Sequence, residues 1–91
     1  MKLRSRTTAS FRKQRDALSP TLRKKADDAY ALFSDDPSHR SLQFKKVHTT
    51  LPIYSARIDL SYRAVGVLEN DIVTWFWIGP HDEYERLIRS R

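Results

Sequence analysis

The fold is decided by residues 62–79, which read YRAVGVLENDIVTWFWIG. Two runs rich in β-branched and aromatic residues, 62–69 and 72–79, enclose the polar pair Asn70-Asp71. This pattern predicts two antiparallel strands joined by a two-residue hairpin turn. Apolar residues occupy both faces of these strands, so we expect other parts of the chain to cover each face at least partly.

The turn sets the register of the two strands. It places residue 67 opposite 74, residue 65 opposite 76 and residue 63 opposite 78. Side chains then divide between two faces, one with Arg63, Val65, Val67, Phe76 and Ile78 and the other with Ala64, Gly66, Val73, Trp75 and Trp77. Helices cover one face in this arrangement, and the alternative is that a partner protein docks on the face with the two tryptophans.

The first half of the chain predicts two helices that form a hairpin. Thr8 or Ser10 caps a short helix that reaches Leu18, and Ser19 followed by Pro20 starts a second helix. Apolar residues recur on one stripe of the second helix, at Leu22, Ala26, Ala29, Tyr30 and Phe33. This helix is expected to end at Asp35-Asp36-Pro37, because proline disfavours helical geometry in the residue before it.

Two further strands are predicted ahead of the hairpin, near residues 43–48 and 52–59. The segment 82–88 is expected to form a short C-terminal helix against the sheet. We therefore predict one α+β domain over residues 1–91. An N-terminal helical hairpin packs on a small, mainly antiparallel sheet of four to five strands.

Composition narrows the class of protein. The 91 residues are 40% apolar and 31% charged, as in an ordinary globular domain. Cysteine is absent, which excludes disulfides, thiolate zinc sites and a cysteine nucleophile, and indicates a reducing, cytoplasmic location. The longest apolar run, 72–78, is far below the roughly 20 residues of a membrane span. His39 and His48 lack metal-ligand spacing to His81, and two glycines make no phosphate loop, so no metal or cofactor is expected.

The net charge of +6 is unevenly distributed. Residues 1–25 hold nine Lys or Arg against the single acid Asp16, a balance of +8, and the rest of the chain sums to −2. This asymmetry predicts a basic surface for an anionic partner, either a nucleic acid or an acidic protein segment. A solvated helix surface fits the same count.

Four residues are expected to meet at one edge of the sheet, namely Arg57, Arg63, His81 and Tyr84. Arginines hold phosphate bidentately, and histidine moves protons near neutral pH, so this set suits chemistry on a phosphodiester. The alternative is structural: Arg63 pairs with Asp59 or Glu85, and His81 caps the last helix.

Lys45 and Lys46 lie on a predicted strand. They protect a sheet edge or contact a nucleic-acid backbone.

Several segments in sequence order carry a family resemblance. After the basic N-terminus and two helices come LQFKKV at 42–47, IYSARI at 53–58, SYRAV at 61–65 and WIGPHDEY at 77–84. Together they resemble the RelE/ParE superfamily of bacterial toxins over nearly the whole chain. The most specific parts are the Tyr-x-x-Arg and Tyr-Arg-x-Val strand pair and the Ile-Gly-x-His-Asp-x-Tyr ending.

The RelE branch cleaves mRNA in the ribosomal A site. By resemblance, Arg63, His81 and Tyr84 are the catalytic residues: Arg63 stabilises the scissile phosphate, His81 is the general acid or base, and Tyr84 orients or stacks on a base. Arg57, Lys45 and Lys46 bind RNA. The implied reaction is attack by the RNA 2′-hydroxyl on the adjacent phosphate, without a metal.

The sequence departs from the RelE pattern at Ser55, where RelE itself has a lysine, in a shorter loop between Gly79 and Tyr84, and in the acids Asp82 and Glu83. The ParE branch shares the fold but inhibits DNA gyrase, and a relative that only binds a partner is a third alternative. Under either toxin branch the expected partner is an antitoxin whose acidic, partly disordered segment wraps the toxin.

Overall fold

The computed structural model describes residues 3–90. Its elements are β1 (Arg4–Thr7), α1 (Ala9–Asp16), α2 (Pro20–Asp35), a 3₁₀ turn (Arg40–Leu42), β2 (Lys45–Lys46), β3 (Ile53–Arg57), β4 (Tyr62–Glu69), β5 (Ile72–Pro80) and α3 (His81–Arg89). The strands form one sheet in the order β1-β5-β4-β3-β2, in which β1 is parallel to β5 and the other pairs are antiparallel. The predicted α+β fold class is confirmed. No helix among residues 3–90 is long and apolar enough to cross a membrane.

Both helix starts follow the predicted capping residues. Thr8, rather than Ser10, caps α1, since its hydroxyl oxygen accepts a 3.1 Å hydrogen bond from the amide of Phe11. Ser19 caps α2 in the same way, through a 3.3 Å bond from Leu22, and Pro20 is the first helical residue.

The edge strands differ from the prediction. β1 was not predicted, because its sequence Arg-Ser-Arg-Thr has no apolar alternation. It is held beside β5 by a 2.9 Å bond from the Arg4 amide to the Asp71 carbonyl and a 3.3 Å bond from the Trp75 indole to the Ser5 hydroxyl. At the other edge, the strand predicted over 43–48 contains only Lys45–Lys46.

The central hairpin has the predicted two-residue turn. Asn70 and Asp71 have φ of 53° and 62°, the left-handed geometry of a type I′ turn, and Glu69 pairs with Ile72.

The predicted register holds next to this turn but fails farther along. A β-bulge shifts the register between Val65 and Gly66 by one residue of β5, so Val65 pairs with Trp77 and Arg63 with Gly79. Ile78 therefore faces the helices, and Trp77 faces the other side. The face assignments of these two residues were wrong, because periodicity alone does not reveal an extra residue.

Each face of the sheet has its own apolar cluster. The helix-side cluster includes Phe33, Leu42, Val73, Trp75 and Ile78. The opposite cluster consists of Ile53, Val65 and Tyr84, with Leu87 and Ile88 of α3 packed against it. Trp75 is only 3% exposed beneath the helices. The alternative of a docking face shared by both tryptophans is therefore wrong.

Candidate functional site

Two arginines occupy paired positions where β3 and β4 meet the loop between them. Arg57 is the register partner of Arg63, and Arg57 also lines a pocket with Lys25 and Asp28 of α2. Among residues 3–90, neither guanidinium has a carboxylate within ion-pair distance. The two expected partners of Arg63 are engaged elsewhere, Asp59 with Lys25 and Glu85 on its own helix. Like charges directly opposite each other repel, so this corner of the sheet favours an anion.

The Arg63 side chain is held from two directions. One terminal nitrogen, Nη2, donates a 3.3 Å hydrogen bond to Oε1 of Gln43. The other, Nη1, is buried and has no hydrogen-bond partner within the described chain. The guanidinium carbon lies 5.4 Å from the ring centroid of Tyr84, in cation–π contact. Arg63 is thus positioned with part of its donor capacity unused.

His81 and Tyr84 join Arg63 because α3 begins directly where β5 ends. They are three residues apart on α3, so they lie on the same side of the helix. Their rings stack with centroids 5.5 Å apart at an angle of 26°. The structure therefore brings together Arg63, Tyr84 and His81 in that order, with Arg57 beside Arg63.

The two predicted RNA-binding lysines lie on opposite faces of β2. Lys45 pairs with Ser55 and so lies on the same face as the arginines, whereas Lys46 pairs with Tyr54 and lies on the helix side. Both side chains are exposed. Ser55 is fully buried, and its hydroxyl has no hydrogen-bond partner among the described residues.

The sequence matches the model of one protein family, the ParE-like toxin domain, over residues 20–86. The chain belongs to this family. The RelE/ParE superfamily predicted from the strand and C-terminal motifs is thereby confirmed. No curated protein matches the sequence of this toxin domain.

Solved toxin structures share the fold of this ParE-like domain. The crystal structure of YafQ from E. coli strain BL21(DE3) superposes with a TM-score of 0.71 at 9% identity, covering 90% of this chain and 97% of that one. For the archaeal RelE-RelB complex from Pyrococcus horikoshii the TM-score is 0.68 at 16% identity, with coverages of 88% and 96%. For the RelBE2 toxin-antitoxin complex from Mycobacterium tuberculosis the values are 0.67, 19%, 89% and 100%.

Two residues of the ParE-like domain make contacts with the site that were not predicted. Gln43 follows the 3₁₀ turn with a φ of 45°. Sequence periodicity does not predict this left-handed backbone geometry, so the position of the Gln43 side chain was not expected. Glu85 lies one turn after His81, and its Oε1 is 3.0 Å from His81 Nε2. The i,i+4 spacing of an acid and a histidine was the available signal.

Gly79 is needed at this corner for a steric reason. A Cβ atom on Gly79 would lie 2.7 Å from Cζ2 of Trp77, closer than carbon atoms approach. Gly79 is also the residue that pairs with Arg63. The glycine therefore lets the indole of Trp77 pack along the strand that leads into His81.

Much of the basic charge of the N-terminal helices is neutralised internally. Arg15 binds both Asp27 and Asp16. These hydrogen bonds raise the pKa of its guanidinium, and the bond to Asp27 has the larger effect. Lys24 pairs with Asp28 at 3.1 Å. The +8 count over residues 1–25 therefore overstates the free charge of the helices, because α2 supplies acids beyond residue 25.

Proposed function

We propose that this chain is the toxin of a toxin–antitoxin pair and that it cleaves mRNA on the ribosome without a metal or cofactor. The observation that carries the proposal is the pairing of Arg57 with Arg63, neither of which forms an ion pair within residues 3–90, beside a tyrosine and a histidine that contact each other and Arg63. Repulsion between the two positive charges destabilises the free protein. A negatively charged RNA phosphate removes this repulsion when it binds.

The proposed reaction needs one charge stabiliser and positioned proton transfer. The RNA 2′-hydroxyl attacks the adjacent phosphorus and loses its proton, the bond to the 5′-oxygen of the next nucleotide breaks, and that oxygen takes up a proton. The products are a cyclic phosphate and a free 5′-hydroxyl. Arg63 stabilises the charge on the phosphoryl oxygens, His81 transfers a proton as general acid or base, and Tyr84 orients a base by stacking.

Lys45 supports the same proposal through its position. Ser55, which replaces the lysine of RelE, is buried and unable to reach RNA. Lys45 lies directly opposite Ser55 and brings an exposed ammonium to the same part of the face. We infer that Lys45 and Arg57 hold the RNA backbone, whereas Lys46, on the other side of the sheet, contributes less.

The acids Asp82 and Glu83 fit this proposal as structural residues. They lie in the first turn of α3, where carboxylates stabilise the positive end of the helix dipole. This placement explains two acids next to a phosphate site without giving them a part in the chemistry.

The test is tightly induced expression in a bacterial host of the wild type, Arg63→Ala and His81→Ala, with mapping of mRNA 5′ ends. Growth arrest with new cleavages, both lost in the two variants, is the expected result. Arg23→Ala is the matched control, because the one side-chain hydrogen bond of Arg23 among residues 3–90 goes to the Asp16 carbonyl on the helical hairpin. Arrest in a soluble, folded wild type without new 5′ ends would overturn the nuclease proposal.

A second candidate function is inhibition of DNA gyrase. It is favoured by the family model itself, which is that of the ParE-like toxin domain. The discriminating experiment adds purified protein to a gyrase supercoiling assay. Inhibition that persists in Arg63→Ala and His81→Ala, with no mRNA cleavage, would support gyrase as the target.

We also propose an acidic antitoxin as the protein partner. Several structural neighbours were solved as toxin-antitoxin complexes, including RelE with RelB and YafQ with DinJ. In this chain, Arg4, Arg6 and Lys13 remain exposed without an ion-pair partner among residues 3–90. The test is co-purification of tagged Arg63→Ala protein from its native host. We expect an acidic protein that is released at high salt, and nucleic acid as the only bound species would contradict the proposal.

A further inference from the structure

Asp59 organises the loop that joins β3 to β4. Its Oδ1 accepts hydrogen bonds from the amides of Ser61, at 2.8 Å, and Tyr62, at 2.9 Å. The main chain closes the same turn, because the amide of Ile58 donates to the carbonyl of Tyr62 at 3.0 Å. An aspartate side chain bound to amides two and three residues ahead is a turn that fixes its own backbone.

The same carboxylate ties this loop to the helical layer. Lys25 of α2 lies with its Nζ 3.4 Å from Oδ2 of Asp59, and the Asp59 side chain is only 21% exposed. Burial alone would raise the pKa of Asp59, but the amide hydrogen bonds and Lys25 outweigh it and lower the pKa. Asp59 is therefore an ionised, fully engaged group that the proposed chemistry does not use.

The Asp59 loop caps α3 in place of a side chain. The residue before α3 is Pro80, which makes no capping hydrogen bond. The amide of His81, the first helical residue, instead donates a 2.7 Å bond to the carbonyl of Ser61. A helix start needs partners for its first amides, so the loop decides where His81 begins the helix.

We propose that Asp59 is a positioning residue of the site: by fixing the Ser61 carbonyl, it sets the place of His81 relative to the facing arginines. The same carboxylate also affects the two arginines, because the loop it holds connects the strands that carry Arg57 and Arg63. The inference rests on the proposed nuclease function. Misplacement of an acid–base group by about 1 Å costs on the order of a hundredfold in rate, so a loosened loop is expected to lower turnover.

The experiment compares Asp59→Ala, which removes both contacts, with Asp59→Asn, which keeps an oxygen acceptor but loses the charge, and Lys25→Met, which loses only the ion pair. Asp28→Ala is the matched control, because Asp28 pairs with Lys24 on the surface of α2 and, among residues 3–90, forms no hydrogen bond or ion pair with the loop. Two quantities are measured on each folded variant. They are the kcat and KM of ribosome-dependent mRNA cleavage and the hydrogen-exchange rate of the His81 amide.

We expect Asp59→Ala to lower kcat by about tenfold or more with KM within about twofold, and to speed His81 exchange by about tenfold. Asp59→Asn and Lys25→Met should each change both quantities in the same direction but less than Asp59→Ala, and Asp28→Ala should leave both at wild-type values. A folded Asp59→Ala with wild-type kcat or unchanged His81 exchange would overturn the inference.

The two proposals fail separately. If the wild type cleaves no mRNA, the nuclease function is wrong, and His81 exchange in the same variants still decides whether Asp59 positions α3. If Asp59→Ala does not fold, the decision passes to Asp59→Asn and Lys25→Met. Faster His81 exchange in these two variants than in Asp28→Ala supports positioning, and equal exchange refutes it.

Discussion

Arg57 and Arg63 show that residues of a binding site can lower the stability of the free protein. The two residues are paired across neighbouring strands, and among residues 3–90 neither forms an ion pair with a carboxylate. Selection for stability alone would pair or replace one of them. Retained repulsion at one corner of a sheet is what a surface for an anionic ligand requires.

Arg57→Gln is therefore expected to stabilise the protein while it weakens RNA binding. Removing one of two facing charges should raise the free energy of unfolding by about 0.5 kcal/mol at low salt. The gain should shrink at high salt, since ions screen the repulsion in the wild type. Urea unfolding at low and high ionic strength measures both effects. Arg57→Lys, which keeps the charge, is the control, and an equal gain in Arg57→Lys would contradict the explanation.

Asp59 makes the stability of the protein depend on pH. Its pKa is lower in the folded protein than in the unfolded chain, so its contribution is present above the unfolded pKa and is lost as the pH falls through the folded pKa. At pH 7, Asp59→Asn should lower the free energy of unfolding by about 1 kcal/mol, because charge-assisted hydrogen bonds are weakened. Urea unfolding of both proteins at neutral and strongly acidic pH tests this. A difference that does not narrow in acid would contradict it.

At the scale of the elements, the hairpin of β4 and β5 depends mainly on the residues of its own turn. Its turn uses Asn70 and Asp71, both with positive φ, where glycine at the second position fits better than aspartate.

Asp71→Gly should therefore raise the free energy of unfolding by about 0.5 kcal/mol or more. Asp28→Gly, in the interior of α2, should lower it by about 0.5 kcal/mol, through the lower helix propensity of glycine and the loss of the ion pair with Lys24, which shows that the gain belongs to the turn. Thermal unfolding of both variants measures the two signs. A loss of stability in Asp71→Gly would mean that the aspartate makes a compensating contact in the turn.

Sequence patterns predicted the elements whose signals are local. Ser19 and Pro20 marked the start of α2, and the alternation of apolar residues marked β4 and β5. β1 escaped prediction because it is polar and pairs with a strand almost seventy residues away in the chain, so only the assembled sheet explains it. The bulge at Phe76 escaped because periodicity does not mark an extra residue, and the hydrogen bonds that Ser10 and Gln14 of α1 make to the main chain of Phe76 and Ile78 exist only in the folded chain.

The candidate site was predictable in part for the same reason. Arg57 and Arg63 were expected to be close because one short turn separates their strands, and His81 and Tyr84 because both follow β5. Gln43 and Asp59 depend on loop geometry, which has no periodic signature. The contact of Gln43 with Arg63 and the bonds of Asp59 to the loop that meets α3 follow only from the folded chain.

At the scale of the whole molecule, the sheet lies between two apolar layers of unequal size. The helix-side layer contains most of the fully buried residues, including Phe33 at 2% exposure. The layer beneath α3 is smaller and includes the half-buried Leu87. Stability therefore resides mainly on the helix side, and the candidate site lies on the thinner side.

Phe33→Ala should lower the free energy of unfolding by about 3–5 kcal/mol, a large part of the total for a domain of this size. Leu87→Ala should cost about 1 kcal/mol, because less apolar surface is lost. Leu51→Ala, at a position that is 47% exposed, should change stability by less than about 0.5 kcal/mol. Urea titrations followed by circular dichroism rank the three variants. A cost for Leu87→Ala equal to that of Phe33→Ala would mean that α3 is part of the main core.

The extra residue in β5 also determines which face of the sheet each later residue of the strand occupies. Removing Phe76 would restore regular alternation and leave Trp77, Ile78 and Gly79 opposite the same residues of β4. Pairing Phe76 with Val65 instead of bulging it would exchange the environments of Trp77 and Ile78 and would place Ile78 opposite Arg63. Two relatives with the same fold thus present different residues to a ligand when one of them pairs the residue that the other one bulges.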